Sequence, residues 1–216
     1  MSRFDLIAFD CDGVLVDSEP ITCGVLADML TELGWAMSVE ETIRAFVGKH
    51  VRDEMPRIEE RIGKPLPADF YDDFITRRNR GLETGITAVR GVQAAVEQLA
   101  ARQTPFCVAS GADRAKMRLT LGRTGLLPFF EGRLFSGMEV ARTKPAPDVY
   151  LLAAQTLGAD PARCAVIEDT PTGIAAGIAA GMTVFGYAER MDAQLLRDAG
   201  AVEVFADMAQ LAELVA

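Results

Sequence analysis

The sequence predicts an α/β protein with a doubly wound parallel sheet and a helical insert. Three observations favour this class: an apolar run near the start of the chain, a block of helical patterns without a strand, and a long alternation of helical and extended patterns. Strands that alternate with helices indicate a parallel sheet with helices on both faces. Half of the 216 residues are hydrophobic, so the chain can bury the core that this architecture needs.

The first strand pattern runs from Phe4 to Phe9 and ends at Asp10. Residues 19–87 contain no convincing strand, but they contain helical patterns at about 20–33, 38–47, 51–62 and 68–81, separated by turn-forming stretches. We interpret this block as a helical insert.

From residue 90 onward the chain alternates. Helical patterns are found at 91–102, 113–123, 147–157, 171–180 and 192–199, and extended patterns at 105–110, 132–137, 164–169, 182–185 and 202–206. The uncharged stretch 170–188 is interpreted as a helix followed by a strand rather than as a membrane span, since Pro171 and several glycines interrupt it. Gly173, Gly177 and Gly181 recur every four residues, which is typical of close helix packing.

Charge and cysteine content exclude several functions. A net charge of -9 and a pI near 4.7 argue against nucleic-acid binding, which needs a clustered basic surface. The four cysteines are far apart and form no zinc or disulfide pattern. No basic segment followed by a long apolar run begins the chain. We therefore expect a cytoplasmic protein that binds neither nucleic acid nor membrane and is a monomer or a weak homodimer.

Polar residues follow the predicted strands where a doubly wound sheet binds ligands, at the carboxyl ends. Asp10 and Asp12 are two positions apart in an extended segment, so we expect both to face one ligand, with Cys11 turned away. Gly13 lets the backbone turn sharply after them. The other candidates at these ends are Ser110, Glu168 and Asp169, and Lys144 lies just before the helix that leads to the strand at 164–169.

These residue types indicate phosphate chemistry. Clustered carboxylates repel one another unless a cation lies among them, and oxygen ligands without histidine favour Mg²⁺ at Asp10, Asp12, Glu168 and Asp169. An Asp10 nucleophile that approaches a phosphate dianion is opposed by roughly 4 kcal/mol per charge pair at 4 Å, and Mg²⁺ and Lys144 would offset this repulsion.

The other side chains would divide the remaining work. Asp12 would protonate the leaving oxygen and then deprotonate water. Ser110 and the amide of Gly111 would bind phosphate oxygens, because a strand gives way to a helix N-terminus there.

Four motifs together resemble the haloacid dehalogenase-like superfamily, in its group of sugar-phosphate phosphatases and phosphomutases. They are DCDGVLVD (10–17), ASG (109–111), KPAPDVY (144–150) and IEDTPTGIAAGIAAGM (167–182), in the family's order over most of the chain. The resemblance implies a Rossmann-like catalytic core, residues 1–16 and 88–216, with a mobile helical cap, residues 17–87. It also implies Asp10 as nucleophile, Asp12 as acid and base, Ser110 and Lys144 on the phosphoryl group, and Mg²⁺ held by Asp10, the Asp12 carbonyl and Asp169 with Glu168 near it.

One segment of the insert is a candidate substrate reader. Gly48, Lys49, His50 and Arg52 lie between two predicted helices, and three of the four carry potentially cationic side chains in an acidic protein. We expect this segment to contribute to specificity.

The favoured function is a Mg²⁺-dependent phosphatase that hydrolyses a small phosphorylated metabolite, a sugar phosphate or sugar-acid phosphate, through an aspartyl phosphate. A β-phosphoglucomutase-like phosphomutase is the alternative, but those enzymes carry histidine where this chain has Thr22 and lysine where it has Val47. A phosphoacceptor signalling module is a further alternative. The helical insert favours an enzyme, since a cover over the site excludes water and selects substrate.

Overall fold

The structure, a computed structural model, describes residues 3–216. The chain divides into two compact units. Ser18–Ile86 forms one, which we call the insert; the described residues up to Asp17 and Thr87–Ala216 form the other, which we call the core unit. The division predicted from the sequence placed these boundaries at residues 17 and 87.

The core unit contains one sheet of parallel strands. The strands are β1 (Leu6–Phe9), β2 (Phe106–Ser110), β3 (Leu134–Ser136), β4 (Cys164–Glu168), β5 (Thr183–Tyr187) and β6 (Glu203–Phe205). Their order is β3-β2-β1-β4-β5-β6, and every neighbouring pair is parallel. The order reverses beside β1, the position at which doubly wound sheets bind ligands. The predicted Rossmann-like α/β class is confirmed.

The central strands are apolar on both faces because helices cover the two sides of the sheet. Every residue of β1, β2 and β4 is buried. Phe9 pairs with Val108 on one side and with Ile167 on the other, so the three strands end at nearly the same level. Residues that follow these strands therefore emerge at one edge of the sheet.

Two helices of the core unit, Leu127–Phe130 and Leu211–Leu214, were not predicted by the sequence patterns, because each has only four residues and is too short to show a helical period. No helix from residue 3 onward is long and apolar enough to cross a membrane. The core-unit helices are α5 (Val92–Ala101), α6 (Arg114–Arg123), α7 (Leu127–Phe130), α8 (Asp148–Leu157), α9 (Pro171–Ala179), α10 (Ala193–Asp198) and α11 (Leu211–Leu214).

The insert is helical, with its own apolar cluster that includes Leu30, Phe46, Ile58 and Phe74. A capping box begins its second helix: the Ser38 hydroxyl accepts from the Glu41 amide, and the Glu41 carboxylate accepts from the Ser38 amide. The helices are α1 (Glu19–Glu32), α2 (Val39–Phe46), α3 (Val51–Ile62) and α4 (Phe70–Gly85).

The fourth helix of the insert ends later than the sequence predicts. The pattern placed its end at Gly81, where a glycine commonly stops a helix. The structure continues α4 through Gly81 to Gly85. A Cβ at position 81 would lie 2.8 Å from a methyl carbon of Ile21 in α1, so this glycine serves close packing of two helices instead.

The chain leaves the core unit at Asp17 and re-enters it at Thr87, and direct contacts join these two points. The amide of Asp17 donates to the carbonyl of Thr87 at 2.9 Å, and Val16 pairs with Ala88 in an antiparallel bridge. Arg190 forms a bidentate ion pair with the Asp17 carboxylate at 2.6 and 3.0 Å. The two connections therefore lie side by side.

Candidate active site

Three of the predicted site residues meet at the carboxyl ends of the central strands. Asp10 follows β1, and Glu168 closes β4. Lys144, in the loop before α8, donates to both carboxylates at 2.7 Å. Its ammonium also donates to the carbonyl of Ala109 in β2 at 3.0 Å. This lysine therefore connects three neighbouring strands at one point.

Asp10 is a buried carboxyl in a site that is short of positive charge. Its residue is 8% exposed. Burial raises the pKa of Asp10 to about 7; the charge of Lys144 opposes the rise, and the charges of Glu168 and Asp12 add to it. Burial disfavours the Lys144 ammonium too, yet the carboxylates of Asp10 and Glu168 outweigh burial and raise the pKa of Lys144 well above its usual range. One ammonium is thus shared between two carboxylates.

Glu168 has both oxygens occupied by protein donors. Oε1 accepts from the ammonium of Lys144 at 2.7 Å and from the hydroxyl of Tyr150 at 2.9 Å. Oε2 accepts from the amides of Asp169 and Thr170 and from the Thr170 hydroxyl, at 3.1, 3.2 and 3.1 Å. These contacts make Glu168 a partner of Lys144, and its role as a metal ligand stays a prediction.

Space for the Glu168 carboxylate comes from Gly173 in α9. A methyl group at this position would overlap the carboxylate. The sequence interpretation assigned Gly173 and Gly177 alike to helix packing. It fits Gly177, where a Cβ would lie 2.6 Å from a methyl carbon of Val184, but Gly173 instead makes room for a side chain of the site.

Asp12 and Cys11 both contact helix α6. The Asp12 Oδ2 accepts from the ammonium of Lys116 at 2.8 Å, and the Cys11 sulfur lies 4.0 Å from the Thr120 hydroxyl. The expectation that Cys11 turns away while Asp10 and Asp12 share a side rested on extended backbone. β1 ends at Phe9 and the chain turns over the following residues, so strand alternation does not by itself orient these side chains. That Asp10 and Asp12 face one ligand stays a prediction.

The predicted phosphate-binding loop follows β2. Ser110 is 1% exposed, and its hydroxyl accepts from the amide of Ala112 at 3.2 Å. A Cβ on Gly137 would lie 3.1 Å from the Cα of Gly111, so two backbone segments approach closely here. The Ser136 hydroxyl donates to the carbonyl of Ala112 at 2.7 Å and helps to fix the loop.

Asp169 lies against the turn at Gly13, which has a φ of 76° and no side chain to obstruct the carboxylate.

In the part of the chain from residue 3 onward, no three His, Cys, Asp or Glu side chains are gathered closely enough to hold a metal by themselves. Lys144 and Lys116 lie against three of the four predicted carboxylates and compensate part of their charge; the metal site built on all four stays a prediction. The carboxylates of Asp10 and Asp169 with the main-chain carbonyl of Asp12 are oxygen ligands of the type that Mg²⁺ prefers, and this ion often keeps waters as its other ligands.

The predicted specificity segment is part of the insert. Gly48 adopts a φ of 78°, and His50 directly precedes α3. Lys49 donates to the carbonyl of Ala45 at 3.1 Å, while Arg52 stacks on the ring of Tyr71 at 4.3 Å. Their role in substrate recognition stays a prediction.

Sequence reasoning missed Lys116, Tyr150 and the role of Gly173. Lys116 carried a signal, because a cation in the first turn of a helix opposes the helix dipole and needs a compensating partner. Tyr150 and Gly173 carried no such signal, since an aromatic residue or a glycine on a helix most often serves core or helix packing.

Comparison with known proteins gives the site a context. The family model of haloacid dehalogenase-like hydrolases matches residues 4–181. The chain is 31% identical over 189 residues to 6-phosphogluconate phosphatase of Escherichia coli, covering 87% of this chain and 84% of that protein. It is also 31% identical over 192 residues to hexitol phosphatase A of the same species, covering 88% and 86%.

A solved structure shares the whole architecture. It is a HAD family hydrolase from Deinococcus radiodurans with bound phosphate and sodium. The two chains are 35% identical and superpose with a TM-score of 0.82, covering 98% of this chain and 94% of the other.

Proposed function

This chain belongs to the haloacid dehalogenase-like hydrolases and is a phosphatase, and from that premise we propose that it hydrolyses a sugar phosphate or sugar-acid phosphate through a phosphoryl intermediate on Asp10. The observation that carries the proposal is the buried Asp10 carboxyl, whose Oδ1 accepts from Lys144 at 2.7 Å. A fixed Oδ1 leaves Oδ2 as the attacking oxygen. The same ammonium lies where a phosphoryl group that reaches Asp10 would bring negative charge.

In the first step, Oδ2 of Asp10 forms a bond to phosphorus while the ester P–O bond breaks. The leaving oxygen takes a proton from the carboxyl group of Asp12. In the second step, Asp12 takes a proton from water as the water oxygen bonds to phosphorus and the Asp10–phosphorus bond breaks. The products are an alcohol and inorganic phosphate, and both aspartates return to their initial states.

Ser110 and Gly111 would bind phosphoryl oxygens through the hydroxyl and amide at the end of β2. Glu168 holds Lys144 in place through Oε1. These residues orient the reacting groups, whereas bond formation and proton transfer are carried out by Asp10 and Asp12.

The oxygen donors of Asp10 and Asp169, with the main-chain carbonyl of Asp12, would hold Mg²⁺. When bound, the ion supplies positive charge that offsets the repulsion between a carboxylate nucleophile and phosphoryl oxygens. Burial raises the pKa of Asp10 to about 7 and so disfavours the ionised form that a nucleophile needs. A cation beside Asp10 would favour that ionised form.

The substrate class rests on the relatives, one named for 6-phosphogluconate and one for hexitol phosphates. We propose that Gly48, Lys49, His50 and Arg52 contribute to its recognition. If so, Arg52→Ala should raise KM for a sugar-acid phosphate and leave the rate with p-nitrophenyl phosphate unchanged. If Arg52→Ala and the wild type have the same KM for the sugar-acid phosphate, Arg52 does not contribute to specificity.

Phosphate release from a panel of sugar phosphates and sugar-acid phosphates tests the proposal. We expect turnover with Mg²⁺, none after chelation, and none in Asp10→Asn. Asp5→Asn is a matched control, because Asp5 is exposed and ion-paired with Arg163 next to the same strand. Uptake of one phosphate per chain without turnover would instead indicate a phosphoacceptor.

The mutase alternative makes a different prediction for β-glucose 1-phosphate. A mutase returns the phosphoryl group to a bisphosphorylated intermediate and keeps water from the aspartyl phosphate. We expect free phosphate from this ester if it is accepted. Glucose 6-phosphate formed with little phosphate, after priming with the bisphosphate, would overturn the proposed reaction.

A further inference from the structure

Lys116 is a buried cation in an unfavourable position. It lies in the first turn of α6, where the helix dipole disfavours positive charge. Its side chain is 10% exposed. A buried ammonium loses most of its hydration, so its place in this fold requires a partner that compensates the charge.

Compensation comes from Asp12. The Lys116 ammonium donates to Asp12 Oδ2 at 2.8 Å, across 104 positions of sequence. Asp113, the N-cap of α6, accepts from the Lys116 amide at 2.8 Å and fixes the turn from which the side chain extends. Asp12, 25% exposed, is the more accessible member of the pair. The pair thus connects the helix after β2 with the turn after β1.

We propose that Lys116 is a positioning residue that fixes the Asp12 carboxyl group for proton transfer. This inference rests on the proposed function, in which Asp12 protonates the leaving oxygen. The ammonium holds Oδ2, so Oδ1 is the atom that gives up the proton while the ester P–O bond breaks. Oδ1 accepts a proton from water in the second step. Lys116 itself exchanges no proton and forms no bond to substrate.

The experiment compares two esters on each protein. p-Nitrophenolate leaves without a proton, whereas the alcohol of a sugar-type phosphate needs one. We take the ratio of kcat/KM for the best sugar-type ester of the panel to kcat/KM for p-nitrophenyl phosphate. This ratio is independent of the folded fraction of a preparation, so it is readable even in a destabilised variant.

Lys116→Met should lower this ratio about ten- to a hundredfold, because a misplaced acid slows only the ester that needs a proton. Lys116→Arg keeps a cation and should recover much of it. Arg118→Met is the matched control on α6; Arg118 is half-exposed and pairs with Glu131, so the wild-type ratio is expected.

A second readout follows the phosphoenzyme. With p-nitrophenyl phosphate, Lys116→Met should show a burst of p-nitrophenolate and accumulate phosphorylated protein, because removal of the phosphoryl group needs Asp12 as base. An unchanged ratio without a burst in Lys116→Met overturns the inference. If Asp10→Asn in the same series is inactive, the proposed function survives that result; an active Asp10→Asn would mean that the proposed function itself has failed.

Discussion

Gly173→Ala tests how the site is held together. The added methyl group would overlap the Glu168 carboxylate, so Glu168 must turn away and lose hydrogen bonds. Five donors reach its two oxygens, among them the ammonium of Lys144. Breaking such a buried pair costs about 3 to 5 kcal/mol. Replacing a helical glycine by alanine stabilises by up to about 1 kcal/mol. We therefore expect a net loss of about 2 to 4 kcal/mol in the free energy of unfolding.

Activity should fall with stability in this variant, because Lys144 loses the carboxylate that fixes it beside Asp10. A displacement of about 1 Å in such a group costs about 100-fold in kcat. Urea unfolding gives the free energy, and initial rates below the unfolding range give kcat for folded protein.

Two other glycines provide matched controls. Gly177→Ala, in the same helix, crowds Val184 and should lose stability while folded protein keeps kcat within about twofold. Gly122→Ala, in α6, brings its methyl only to 3.8 Å from Leu127 and should be at least as stable as wild type. If Gly173→Ala unfolds at the same urea concentration as Gly122→Ala and keeps wild-type kcat, Glu168 does not hold Lys144.

Three further predictions concern single side chains. Burial raises the pKa of Asp10 to about 7, so folded metal-free protein binds more protons than unfolded protein between about pH 4 and 7. Its stability should therefore fall as pH rises through this window, and melting curves of Asp10→Asn should lack this fall; equal pH dependence would contradict the assignment. Asp12→Ala should accumulate phosphoenzyme with p-nitrophenyl phosphate, and normal single-turnover dephosphorylation would exclude Asp12 as base. Among the described residues, the buried hydroxyl of Thr22 has no hydrogen-bond partner. Thr22→Val should stabilise by about 1 kcal/mol, and a lower melting temperature would refute this reading.

Topology explains why much of the site was predictable. Parallel strands with level carboxyl ends bring together the residues that follow them, so Asp10 and Glu168 could be placed at one edge from their positions after apolar runs. The interruption at Pro171 also predicted correctly that 170–188 contains a helix and a strand. These inferences needed only periodicity and strand ends.

Partners of each side chain were not predictable in the same way. The contact between Lys116 and Asp12 depends on how α6 lies beside the turn after β1, and no local pattern reports that placement. The repulsion argument counted carboxylates without the lysines that lie against them. The end of α4 was misplaced because Gly81 has the same local signal whether it stops a helix or packs against Ile21.

The hydrogen bond between Asp17 and Thr87 has a consequence for how such a protein can change over evolution. Because the chain leaves and re-enters the core unit at adjacent backbone positions, sixty-nine intervening residues, from Ser18 to Ile86, need only bring their two ends together. Length and sequence in that segment can vary without altering the register of β1, since loop closure costs grow slowly with length. Insertion, deletion or exchange within that segment can therefore be accommodated without displacing the strand that leads to Asp10.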